Sequence, residues 1–119
     1  MRDFQKLELW NRSHKLTLNI YKYSRLFPKE ETFGIISQIR RCALSIPSNI
    51  AEGCGRNSII ELKRFLAIAS GSASELQYHL ILSFDLGYLT ESVYKELNSE
   101  IICIRKMIFQ FSKKLIAES

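Results

Sequence analysis

The chain has 119 residues, 46% of them apolar, and a formal net charge of +5. That length suits one domain, residues 1–119, with a single core; no stretch approaches the ~18 uninterrupted apolar residues of a membrane span, and residues 1–6 carry no apolar secretory signal. Three cysteines, Cys42, Cys54 and Cys103, are odd in number and widely spaced without a Cys-x-x-Cys. They argue against a disulfide framework and for a reducing cytoplasm, with each thiol read as a small buried apolar residue.

Four helices and no strands are expected, near residues 6–26, 30–52, 58–86 and 91–117. In the first, Leu9, Ser13, Leu16, Ile20, Tyr23 and Phe27 make the core seam, while Leu7, Leu18 and Tyr21 lie on the other side. A helix that is apolar on two sides often buries both, one in its own bundle and one against a neighbouring subunit. A homo-oligomer is expected on that ground. Pro28 suits a first helical position, and Glu30 and Glu31 then sit near the positive end of the second helix.

The second helix carries two patterns. Ile36, Ile39, Ala43, Ile46 and Ile50 form its apolar seam, and Gln38, Arg41, Ser45, Asn49 and Glu52 form a polar seam offset by two residues. Pro47 lies within it, so a kink or a 3₁₀ turn is expected there. Gly53 reads as the C-cap. Gln38, Arg41, Asn49 and Glu52 read as a network at a helix or subunit junction; the competing reading has Arg40, Arg41 and Arg56 lining a phosphate site.

Ser58 and Glu61 match a capping box for the third helix. Its seam is Leu62, Leu66, Ala69, Ala73, Leu76, Leu80 and Ser83. Its middle, Ala67-Ile68-Ala69-Ser70-Gly71-Ser72-Ala73-Ser74, is nearly all small, which lets another backbone approach; close packing is expected to offset the helix cost of Gly71. Thr90 caps the fourth helix, with seam Leu97, Ile101, Ile104, Ile108, Phe111 and Leu115. Spacings near 3.5 and short loops predict an all-α, antiparallel up-down-up-down four-helix bundle. Leu16, Ile20, Ile39, Ile46, Leu66, Leu76, Ile101 and Ile108 should be largely buried.

Catalytic signatures are absent from the pattern. Neither His14 nor His79 has a glutamate three residues before it, as di-metal bundles require. Glu75 and His79 are an i, i+4 pair and read as a side-chain hydrogen bond rather than a metal site. Zinc spacing, phosphate loop, dinucleotide fingerprint and nucleophile elbow are all missing, and nothing in the sequence sets a cysteine beside a base. No catalytic residue, metal or cofactor is therefore expected.

The charge is unevenly placed. Residues 1–29 hold seven basic residues against two acidic, and the remainder is balanced. Arg12, Lys15, Asn19 and Lys22 share one helical face, either a phosphate-attracting stripe or a plain solvated one.

Gln38-Ile39-Arg40-Arg41, Ser45-Ile46-Pro47-Ser48-Asn49-Ile50-Ala51-Glu52-Gly53 and Gly55-Arg56 resemble the signature of the bacterial four helix bundle proteins first noticed in intervening sequences of 23S rRNA genes, often labelled ribosomal protein-like. Leu9-Trp10, Phe27-Pro28, Glu31 with Phe33-Gly34, Phe65-Leu66-Ala67-Ile68-Ala69, Gly71-Ser72, Glu75-Leu76 and Leu86-Gly87-Tyr88-Leu89 follow in that family's order. The resemblance implies an up-down bundle, a ring-like homopentamer and no catalytic residues. It also implies a relation to the accessory variability determinant of diversity-generating retroelements, a bundle that binds a reverse transcriptase and nucleic acid. In its motif, Gln38, Arg41, Ser45, Pro47, Asn49, Glu52 and Gly53 are structural or interface positions.

Two functional readings follow. In one, the chain is a non-enzymatic homo-oligomeric module whose partner is structured RNA or an RNA-handling protein. The contacts are then Arg12, Lys15, Lys22 and Arg25, with Arg40, Arg41 and Arg56 as a second set. In the other, it is a structural scaffold for a protein partner with no nucleic-acid contact.

Overall fold

The computed structural model describes residues 2–118. Among these, a 3₁₀ turn at Phe4–Lys6 leads into α1 (Glu8–Ser24), a second 3₁₀ turn at Lys29–Glu31 into α2 (Ile35–Cys54), and α3 (Ile59–Asp85) and α4 (Glu91–Glu118) complete the fold, with no strand. Each helix packs on its sequence neighbour and α1 closes the square against α4, giving an elongated bundle of 46 × 23 × 20 Å. All eight expected core side chains are at most 2% exposed. The seams of α2 and α3 are buried along their whole length.

The helix boundaries have local causes. Asp3 caps the first turn through Gln5 N–H at 3.0 Å, and Leu7 is extended, so α1 starts two residues later than its periodicity suggests. The larger shift is at α2. Pro28 and the following glutamates form only a 3₁₀ turn, and Gly34 at φ −105°, ψ −119° breaks the chain direction before α2 begins at Ile35. Glu31 is held in that turn by the Tyr88 hydroxyl, which donates to Oε2 at 2.7 Å. A Cβ on Gly34 would lie 2.6 Å from Glu31 Oε1.

α2 stays α-helical through Pro47, and the expected 3₁₀ turn does not form. Proline supplies no N–H to the Ala43 carbonyl. The Thr17 hydroxyl of α1 fills that place, 3.1 Å from Ala43 O and 2.8 Å from Ser13 O. Gly53 is also not the C-cap. It is buried inside α2, where a Cβ would lie 2.9 Å from Phe65 Cβ and 3.0 Å from Leu62 Cδ1. Its role is close packing of α2 on α3. Gly55 closes α2, its N–H donating to Ala51 O and Glu52 O at 3.1 Å each.

Ser58 caps α3 through Glu61 N–H at 3.1 Å. The Glu61 carboxylate binds Arg64 instead of returning to the cap, so half of the capping box forms. Gly87 at φ +81° ends α3, with Tyr88 N–H donating to Ser83 O in a Schellman closure. A Cβ added at Gly71 would meet no neighbouring element within 4 Å, which corrects the close approach expected there.

Candidate functional site

The basic residues divide into those that hold the bundle together and those left to solvent. Arg12 belongs to the first group. Its Nε and Nη2 donate to both carboxylate oxygens of Glu100 on α4, at 2.9 and 3.0 Å, with Glu8 a further 3.7 Å contact. A two-point guanidinium–carboxylate pair is among the stronger surface contacts. It raises the Arg12 pKa and holds the Glu100 carboxyl below its ordinary range, Arg12 being the main cause. Arg40 is also engaged. Its Nε donates to Ser24 Oγ at 2.8 Å and Nη2 to the Tyr21 carbonyl at 3.3 Å, with the guanidinium over the Tyr21 ring. It thereby clamps α2 to the last turn of α1.

Lys15, Lys22 and Arg25 are exposed on the outer side of α1 and form no ion pair among the described residues. Lys15 borders the groove between α1 and α4, which also holds Glu8, Glu96 and Glu100. Lys22 lies over the Tyr23 ring at 5.3 Å.

The polar seam of α2 is only partly a network. Asn49 Nδ2 donates to Ser45 O at 2.7 Å and to Ser45 Oγ at 2.9 Å, and Ser72 of α3 joins through Oγ at 2.8 Å. Gln38, Arg41 and Glu52 remain exposed. Glu52 pairs with Arg56 at 3.4 Å along the chain, and Arg56 also covers Phe65. Arg40, Arg41 and Arg56 do not converge: Arg40 turns to α1, Arg41 lines a cleft with Ser45 and Ser72, and Arg56 sits at the end of α2. The seam thus forms no buried ion pair among the described residues.

One arrangement escaped the sequence reading. Cys42 Sγ lies 3.2 Å from His79 Nδ1, and His79 Nε2 lies 3.6 Å from Glu75 Oε2. Burial, with Glu75 adding to it, pushes the Cys42 thiol up to about 12. Burial lowers the His79 pKa against the opposing pull of Glu75. Both groups are neutral near pH 7, so the pair is not an activated thiolate–imidazolium couple. The i, i+4 spacing of Glu75 and His79 was the available signal; the facing of Cys42 depends on how α2 and α3 pack.

No helix is long and apolar enough to cross a membrane. A family model described as 23S rRNA-intervening sequence protein matches residues 5–110. The chain is also similar to a crystal structure of a protein of unknown function from the S23 ribosomal protein family of Bacteroides thetaiotaomicron. That similarity has a TM-score of 0.80 and 28% identity, over 88% of this chain and 98% of that one. Comparison with curated proteins gives no match.

Proposed function

The chain belongs to the 23S rRNA-intervening sequence protein family, and from that premise we propose that it is a non-catalytic, homo-oligomeric bundle that binds structured RNA through its phosphates. The observation that carries this reading is the exposed stripe of Lys15, Lys22 and Arg25 on α1, with no ion pair among the described residues to neutralise it. These cations lie where the chain's excess charge is concentrated. Arg12 and Arg40 leave the proposed contact set because the bundle uses them. Arg41 and Arg56 are the second set, with Arg56 partly neutralised by Glu52. Contacts of this kind position a backbone and carry little sequence information.

Self-association is the other half of the proposal. Phe33 at 96% exposure, Leu26 and Ile60 at 80% and Phe109 at 64% are large apolar side chains in solvent in the single chain. Leu26 and Phe33 both lie in the α1–α2 connection, and exposed apolar side chains that gather in one patch mark interaction sites. Five subunits in a ring is the number the family resemblance implies. A ring repeats one weak cationic stripe around its circumference and gains affinity by avidity.

Fluorescence anisotropy with a structured rRNA hairpin at low salt tests the RNA reading. The double variant Lys15→Glu, Lys22→Glu should bind at least tenfold more weakly with its helical circular dichroism retained. Equal binding by the variant rejects the α1 face in favour of Arg41 and Arg56, and no binding by either protein rejects the RNA reading. A protein scaffold then replaces it, with an RNA-handling protein, as the relation to the accessory variability determinant implies, the first partner to try.

A further inference from the structure

Cys42, Glu75 and His79 are the one group of three potential metal-ligating side chains brought together among the described residues. They come from two packed helices rather than from loops, which favours precise placement. Glu75 and His79 are one turn apart on α3, and Cys42 faces them from α2. One ligand atom from each lies within 4.8 Å of the others. Bonds of about 2.0–2.3 Å to a tetrahedral zinc set neighbouring ligand atoms roughly 3.3–3.6 Å apart. The 3.2 Å separation of Cys42 Sγ and His79 Nδ1 is already close to that value. The Glu75 side chain is half exposed and its carboxylate lies on the Nε2 side of the His79 ring, so it rotates toward Nδ1 and Cys42 to complete the set, whereas the His79 ring is largely buried.

The site also has an entrance. A cleft of about 190 Å³ opens beside Cys42 and Glu75, walled by Arg41, Ser45 and Ser72. It leaves room for a water or small anion in the fourth position. We propose that Cys42 Sγ, His79 Nδ1 and the Glu75 carboxylate bind one Zn²⁺, in a three-ligand site open to this cleft. Sulfur and imidazole select zinc over the hard cations magnesium and calcium. Binding displaces the Cys42 proton to solvent, and the resulting thiolate and the carboxylate together balance the charge of the ion. Arg41 in the same wall opposes a cation, so both anionic ligands are needed. This site departs from the metal-free expectation because a third ligand joins the Glu75–His79 pair from another helix. Its effect would be to clip α2 to α3 midway along their contact.

Titration of the reduced full chain with Co²⁺, followed by displacement with Zn²⁺, tests the assignment. One equivalent of Co²⁺ should give a thiolate-to-cobalt charge-transfer band in the near ultraviolet and tetrahedral d–d bands in the visible, both lost on adding Zn²⁺. Cys42→Ser should abolish the charge-transfer band and Cys103→Ser should keep it. Glu75→Gln, at an exposed position, should weaken Zn²⁺ binding at least tenfold while its circular dichroism matches the parent. Absence of the band in the parent chain overturns the site, as does its survival in Cys42→Ser. Unchanged affinity in Glu75→Gln also overturns it, and that variant decides the matter if Cys42→Ser does not fold.

Discussion

Pro47 leaves the Ala43 carbonyl without its helical donor, and the Thr17 hydroxyl of α1 takes the place of the missing N–H. A buried acceptor left unpaired costs about 1–3 kcal/mol. The Thr17 proton is shared with Ser13 O, so the contribution here is toward the lower end. Thr17→Val should lower stability by about 1 kcal/mol in denaturant unfolding. In a Pro47→Ala background, position 47 regains its N–H and the same substitution should cost less. A double-mutant cycle with no coupling between the two positions would falsify this account of how α2 tolerates its proline. Two glycines give a second contrast. Gly53→Ala pushes a methyl to 2.9 Å from Phe65 Cβ and should destabilise by about 1–3 kcal/mol. Gly71→Ala meets nothing within 4 Å and should raise the stability of the folded chain by up to about 1 kcal/mol through helix propensity. Melting midpoints that move in the same direction for both would contradict the packing described here.

At the scale of elements, α1 and α4 share the sparsest of the four helix–helix contacts, and the Arg12–Glu100 pair bridges them. Because the Glu100 carboxyl is held below its ordinary value near 4.5, its contribution is complete above that value and is lost as pH falls through the lower folded value. Both side chains are partly exposed, so the pair is worth no more than about 1 kcal/mol. Glu100→Gln should lower the thermal midpoint at pH 7 and lessen its fall on acidification; parallel pH profiles for parent and variant would remove the pair from the account. The helices and their seams were legible because burial imposes one period of about 3.5 on every element. The start of α2 was not, because Pro28-Lys29-Glu30-Glu31 carries helix-start chemistry while Gly34 and the Tyr88 bond to Glu31 confine it to one 3₁₀ turn. The basic face was legible as charge along a helix. That Arg12 and Arg40 are spent on Glu100, Ser24 and Tyr21 was not, since those partners lie on other helices. The same limit hid the meeting of Cys42 with His79.

For the whole molecule, the exposed part of the family motif and the basic stripe make separate demands. Gln38, Arg41 and Glu52 do not stabilise the single chain by a buried ion pair. Arg41→Ala should therefore change the unfolding free energy of the isolated chain by no more than about 0.5 kcal/mol. If Arg41 lies at a subunit junction, as proposed from the motif, sedimentation velocity at micromolar concentration should show the Arg41→Ala assembly dissociating where the Lys15→Ala assembly persists; identical profiles would take Arg41 out of the interface. The central claim is that the exposed cations Lys15, Lys22 and Arg25 bind RNA phosphates. The most direct test is the salt dependence of RNA affinity for the assembled protein. Each neutralised phosphate contributes a slope of about −0.7 to −0.9 in a plot of log affinity against log salt. Lys15, Lys22 and Arg25 of one subunit thus predict a slope of about −2 or steeper, and Lys15→Glu with Lys22→Glu should make it shallower by about 1 or more. A parent slope near zero, or one that the double substitution leaves unchanged, would contradict the claim.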